Sequence, residues 1–102
     1  MIVSGHFGNF ELAGYIIGLL GFPTHTVARK LDNPYIDRFL NRFRGVTGQY
    51  MIPKKGGYDD ILEVLRSKGT MTFLDDQHAG EKGCWVDFFG RPASVHKAIA
   101  LL

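Results

Sequence analysis

Short β-rich runs alternate with stretches of helical periodicity along the chain, and glycine or proline closes most of them. Met1 to Ser4 is a short apolar run that stops at Gly5. Asn9 is suited to cap a helix whose apolar positions include Phe10, Ala13, Ile16, Ile17 and Leu20, close to a 3.6-residue period. Gly21 and Pro23 end it. Thr24 to Ala28 reads as a strand, and Asn33-Pro34 supplies a cap followed by proline at the first helical position. The helix after it carries Tyr35, Ile36, Phe39, Leu40 and Phe43 and stops at Gly45. Gln49 to Ile52 is a short strand closed by Pro53, and Lys54 to Gly57 is a loop. Asp59 and Asp60 open a third helix that Arg66 and Lys68 close, an arrangement that suits the helix dipole. Thr70 to Leu74 is the next strand, Asp75 to Gly83 a polar loop, and Cys84 to Phe89 another strand. Ser94 is expected to cap a last helix running to Leu102. Strand and helix alternating in this way predict an α/β fold, a mainly parallel sheet with flanking helices.

Composition narrows the class. The chain has 102 residues, enough for one domain at most. Apolar residues make up 45% and charged residues 22%, which excludes a disordered tail, a collagen-like repeat and a coiled coil. The net charge of +2 is too small to demand nucleic acid, and no nucleic-acid partner is expected. The single cysteine, Cys84, forms no internal disulfide, which fits a reducing compartment or simply no need of a staple. The longest apolar run, Ala13 to Phe22, is about half of the roughly twenty residues needed to span a bilayer. This predicts a soluble or peripheral chain.

In parallel sheets, ligands sit beyond the carboxyl ends of the strands. His6, Arg29, Asp75, Asp76 and Gln77 all follow predicted strands. His6 and Glu11 on one continuous helix would lie about 140° apart, at roughly 100° per residue. With the helix starting near Asn9, His6 falls outside it, and Gly5 and Gly8 allow a turn that brings imidazole and carboxylate together. The carboxylate would then fix the tautomer and leave the other ring nitrogen free to take a proton from a hydroxyl. This is the base and orienter of a catalytic triad, with the nucleophile supplied by substrate. The competing reading is a capping histidine and a helix-start glutamate. Neither Ser4 nor Cys84 is placed as a nucleophile. No metal site is expected: His6 and Glu11 lack the i, i+4 spacing of a helical zinc motif, and adjacent Asp75 and Asp76 point apart on extended chain. Arg29 and Arg44 stand out among the basic residues, because guanidinium groups suit phosphate or a developing oxyanion.

The segment SGHFGNFELAG resembles the His-x-x-x-x-acid motif of glycerolipid-type acyltransferases. With VARKLDNPYIDRFLNRFR, IPKKGG and FLDDQHAGEKGCWVDFFGRPAS following in order, nearly the whole chain resembles the bacterial lipid A late acyltransferases, the lauroyl or myristoyl family. The resemblance implies the central part of a longer catalytic domain, residues 1–102 being a partial, glycerolipid acyltransferase-like unit. Membrane attachment would come from parts outside this stretch. It implies transfer of a fatty acyl group from an acyl carrier protein thioester to a hydroxyl of a lipid A precursor, on the cytoplasmic face of the bacterial inner membrane and without a cofactor. His6 would be the general base and Glu11 its orienter. Arg29 and Arg44 match recurrent family arginines that serve thioester or phosphate. Asp76, Gln77 and Gly80 fit the family's acid–polar–glycine pattern, with Asp76 expected to hold an active-site arginine or the loop. The aromatic block of Trp85, Phe88 and Phe89 is expected beside the acyl groove. The alternatives are an acyltransferase using acyl-CoA or another glycolipid or phospholipid acceptor, a hydrolase, and a non-catalytic lipid- or carrier-binding fragment.

Overall fold

A computed structural model describes residues 1–102. The elements are β1 (Ile2–Ser4), α1 (Phe10–Leu19), β2 (Thr24–Ala28), α2 (Pro34–Gly45), β3 (Gln49–Pro53), α3 (Tyr58–Arg66), β4 (Thr70–Leu74), β5 (Cys84–Phe88), β6 (Arg91–Val95) and α4 (Ala98–Leu101). Local chemistry sets the helix starts. The Asn9 side chain accepts from the Leu12 N–H at 3.0 Å, and Asn33 accepts from Tyr35 and Ile36 at 2.9 and 3.3 Å, with Pro34 opening α2.

Four strands form a parallel sheet in the order β1-β4-β2-β3. The expected α/β architecture with a parallel sheet and flanking helices is therefore present. The path from β1 to β2 crosses β4 in one direction, and the path from β3 to β4 crosses back over β2. Right-handed crossovers put such helices on opposite faces. Side chains agree. Ile52, Met71 and Phe73 form the buried core with Ile61, Val64 and Leu65 of α3 and Ile99 of α4 against them. The alternate positions, among them Thr24, Thr26, Gln49, Met51 and Thr72, face α1 and α2. That second face is polar for an α/β sheet, and glycines let α1 come close: a Cβ at Gly14 would lie 2.7 Å from Gln49 Oε1, and one at Gly18 would run into the Thr47 carbonyl.

The end of the chain corrects the sequence reading. Ser94 caps no helix. It lies in β6, which pairs antiparallel with β5 from Cys84↔Val95 to Phe88↔Arg91. Its hydroxyl donates to the Gly80 carbonyl, tying the hairpin to the preceding loop. Phe89 and Gly90 turn the hairpin with φ of 52° and 74°, the left-handed pair of a type I′ turn. The helix that remains, α4, has four residues. Chain leaving β1 goes to α1 on one face, whereas chain leaving β4 passes through the hairpin to α4 on the other. The carboxyl ends of β1 and β4 are thus the point where connections diverge, the usual place for a ligand in such a sheet.

Candidate active site

The register of β1 on β4 builds the site. Ser4 stands opposite Leu74, and the Asp75 N–H donates to the Ser4 carbonyl at 3.0 Å. Two residues further along each chain, His6 meets Asp76. The Asp76 carboxylate accepts from the His6 backbone N–H through Oδ2 and from ring Nδ1 through Oδ1, each at 2.6 Å. A carboxylate only accepts, so Nδ1 carries the proton and the lone pair lies on Nε2. Gly5 makes this approach possible, since a Cβ there would sit 2.8 Å from Asp76 Oδ2. The Phe10 ring packs edge-on against the imidazole at 4.9 Å and 77°, limiting its rotation from the other side. The hydrogen bonds from the His6 ring and then from the His6 N–H hold the Asp76 pKa below the ordinary carboxylate value.

Glu11 is elsewhere. It does not orient His6; it pairs with Arg44, accepting from Nε through Oε2 at 2.9 Å and from Nη2 through Oε1. The reason is geometric. Glu11 stands in the first turn of α1, above the polar sheet face, and the last turn of α2 lies beside it. Tyr15 of α1 stacks on Phe43 of α2 at 4.9 Å and fixes the two helices together. Arg44 is the least exposed member of any ion pair in the chain, and its remaining nitrogen, Nη1, lies 3.5 Å from Met51 Sδ. Of the two expectations for Asp76, an active-site arginine or its own loop, neither is met: its carboxylate holds the histidine, and Glu11 holds the arginine.

One cavity of about 820 Å³ joins these groups. His6, Glu11, Arg29, Arg44 and Gln77 line it; Asp76 does not, and reaches it only through His6. Apolar side chains, among them Ile17, Val27, Phe73 and Leu74, supply much of the remaining wall, with Thr24, Thr72, Lys54 and Asp75 among its polar groups. Arg29 reaches only the exposed Asp32, at 3.3 Å. Trp85, Phe88 and Phe89 do not line the cavity; they stand exposed on the hairpin. Sequence periodicity places Phe10 only on an apolar helix face and Lys54 only in a basic loop, and the strand order reveals what they face.

A parallel α/β sheet with a carboxylate-bound imidazole at a mainly apolar cavity defines the general class of an α/β enzyme with its site at the sheet's carboxyl edge. The model of one protein family, the bacterial lipid A biosynthesis acyltransferases, matches residues 1–102. The chain belongs to that family, and the activity is that of an O-acyltransferase, which requires an acyl donor and a lipid acceptor. No curated protein sequence matches the chain.

Proposed function

We propose that this chain carries the reacting centre of an enzyme that moves a fatty acyl group from an acyl carrier protein thioester to a hydroxyl of a lipid A precursor, the hydroxyl of a 3-hydroxyacyl chain. His6 Nε2 takes the proton of that hydroxyl as its oxygen attacks the thioester carbonyl carbon. The tetrahedral intermediate carries its negative charge near the cavity's guanidinium groups. It collapses with breakage of the C–S bond, and the thiolate takes its proton from the His6 imidazolium. An ester and a free thiol result. Asp76 keeps the imidazole in the required tautomer and balances the imidazolium charge. Arg44, fixed by Glu11, stands as the oxyanion-facing cation, because a preorganised charge stabilises more than a mobile one.

The observation that carries this reading is the two-point grip of Asp76 on His6 beside an open, largely apolar cavity. The setting that suits both substrates is the cytoplasmic face of the bacterial inner membrane. Exposed Leu12, Ile16, Leu19 and Leu20 along and just past α1 are consistent with a nearby lipid surface, and no helix is long and apolar enough to cross a membrane.

The test is His6→Ala in the parent enzyme, assayed with acyl carrier protein thioester and lipid A precursor. General-base catalysis contributes ~10²–10⁴-fold, and transfer should fall by that factor with the melting temperature unchanged. Activity retained within tenfold rejects the general-base role.

A further inference from the structure

The two helical layers of the sheet present opposite chemistry to their surroundings. α3 is ordinary: Ile61, Val64 and Leu65 pack inward, and Asp59, Asp60, Glu63 and Arg66 stand exposed. α1 and α2, on the other face, turn large apolar side chains outward. At about 100° per residue, Leu12, Ile16 and Leu19 share the side of α1 away from the sheet. Tyr35 and Phe39, with Val46 just past the helix end, share the same side of α2, and they are 81%, 67% and 75% exposed. Tyr15 stacks on Phe43 and Glu11 pairs with Arg44, so the two helices lie side by side and their outward residues form one surface. Its charges are of one sign. Arg38 stands three residues after Tyr35 and Arg42 three after Phe39, both exposed and neither with an acidic partner. The acids of these helices are turned away, Glu11 to Arg44 and Asp37 to the Leu31 N–H and Asn41 Nδ2. The exposed Asp32 lies before the α2 cap and meets Arg29.

We propose that the outward face of α1 and α2 lies on an anionic lipid bilayer, with its aliphatic and aromatic side chains among the headgroups and Arg38 and Arg42 against their negative charge. The attachment expected from sequence lies outside residues 1–102; this one is built from the chain's own helices. It deepens the membrane setting proposed above and does not depend on the chemistry at His6. A covering protein segment would bury two arginines that no acid of this face balances, a cost that anionic headgroups do not impose. The acids of α3 lie on the far side of the sheet, so the field that draws α2 to the bilayer also orients the molecule. The consequence is access to the cavity. Glu11, Gly14 and Ile17 of α1 line it, so the helix resting on the bilayer is also a wall of the reacting centre, and a lipid chain has only to pass α1 to enter.

The experiment places a photocrosslinker in the parent enzyme, Phe39→p-benzoylphenylalanine, with Tyr35 as a second labelled position on the same face and Glu63 of α3 as the control. The enzyme is bound to vesicles of phosphatidylethanolamine with phosphatidylglycerol, or with phosphatidylcholine in place of the anionic lipid. After irradiation, mass spectrometry should find lipid adducts at Phe39 and Tyr35 and none at Glu63. The yield on anionic vesicles should exceed that on neutral ones by about tenfold or more, because each arginine near an anionic surface contributes about fivefold to binding. Arg38→Gln/Arg42→Gln should abolish that excess and leave transfer between detergent-dispersed substrates unchanged, since neither arginine lines the cavity. Adducts to another segment of the same chain would show the face covered by the protein itself, and adducts to an acidic carrier protein would show a protein dock. Either result overturns the proposal, as do equal yields on the two vesicles or no lipid adduct at all. Lipid adducts from a wild type that transfers no acyl group would keep the lipid face and reject the acyl-transfer reading.

Discussion

Two carboxylates grip two cationic or potentially cationic side chains at the same cavity, and they do so in opposite ways. Asp76 reaches His6 across neighbouring strands, and both partners remain partly exposed, at 33% and 43% of their side chains. Glu11 reaches Arg44 across neighbouring helices, and Arg44 is only 17% exposed. An exposed grip adds little to stability but fixes a tautomer and a direction. A half-buried bidentate pair holds two elements together and makes one charge immobile. Damage at the first should therefore register in rate, and damage at the second in stability as well.

The largest separation is expected from Asp76→Asn, after His6→Ala itself. The single amide oxygen stays with the His6 N–H and the NH₂ turns to Nδ1, a donor facing that nitrogen, so the imidazole proton moves to Nε2. Acyl transfer should fall about 100-fold or more while the melting temperature at neutral pH moves little. The small stability difference has a defined pH signature. The Asp76 pKa is depressed in the folded chain, so the stabilisation is complete above its ordinary value of 3.8 and is lost as pH falls through the lower folded value. Unfolding curves of wild type and variant should converge in that acidic window. Divergence there instead would mean that His6 does not hold the carboxylate.

Glu11→Gln should do the reverse. It removes the charge from a partly buried bidentate pair, and about 1–2 kcal/mol of stability should go with it after allowance for solvent at Glu11. For a chain of this size that lowers the melting temperature by several degrees, roughly 4–8 °C per kcal/mol. Gly5→Ala sharpens the contrast from the other side. The new Cβ meets Asp76 Oδ2 at 2.8 Å and its Cγ and Cβ at 3.0 and 3.2 Å, so the carboxylate must turn away and the chain after β4 must give by a few tenths of an ångström. The fold should survive, and transfer should fall about tenfold as the grip on His6 loosens. A large loss of stability with no loss of rate would place Asp76 outside the reacting centre.

The same contrast explains what the sequence discloses. Helix starts at Asn9 and Asn33 and strands bounded by glycine or proline are local signals, and the elements up to β4 follow from them. Ser94 misleads because serine is equally at home before a helix and in a strand. The Phe89-Gly90 turn and pairing with β5 decide the matter, and pairing is not local. His6 is legible as the residue after the first strand, but its partner lies 70 positions away. Glu11 is the nearer acid in sequence, and only the placement of β4 beside β1 brings Asp76 closer in space. Arg29 and Lys54 are likewise separate in sequence and adjacent through the register of β2 on β3.

The smallest expected effect lies at Asp32, and it tests the exposed end of the comparison. Its pair with Arg29 is open to solvent on both sides, so Asp32→Asn should change stability by no more than about 0.5 kcal/mol. Yet it removes the acid paired with Arg29 at the cavity. If Arg29 draws anionic groups to the cavity through charge, the variant should lower KM slightly, about twofold, and the gain should vanish as salt is raised toward 1 M, where screening acts over about 3 Å. A gain that persists at high salt would point to a reshaped contact rather than to the field of Arg29.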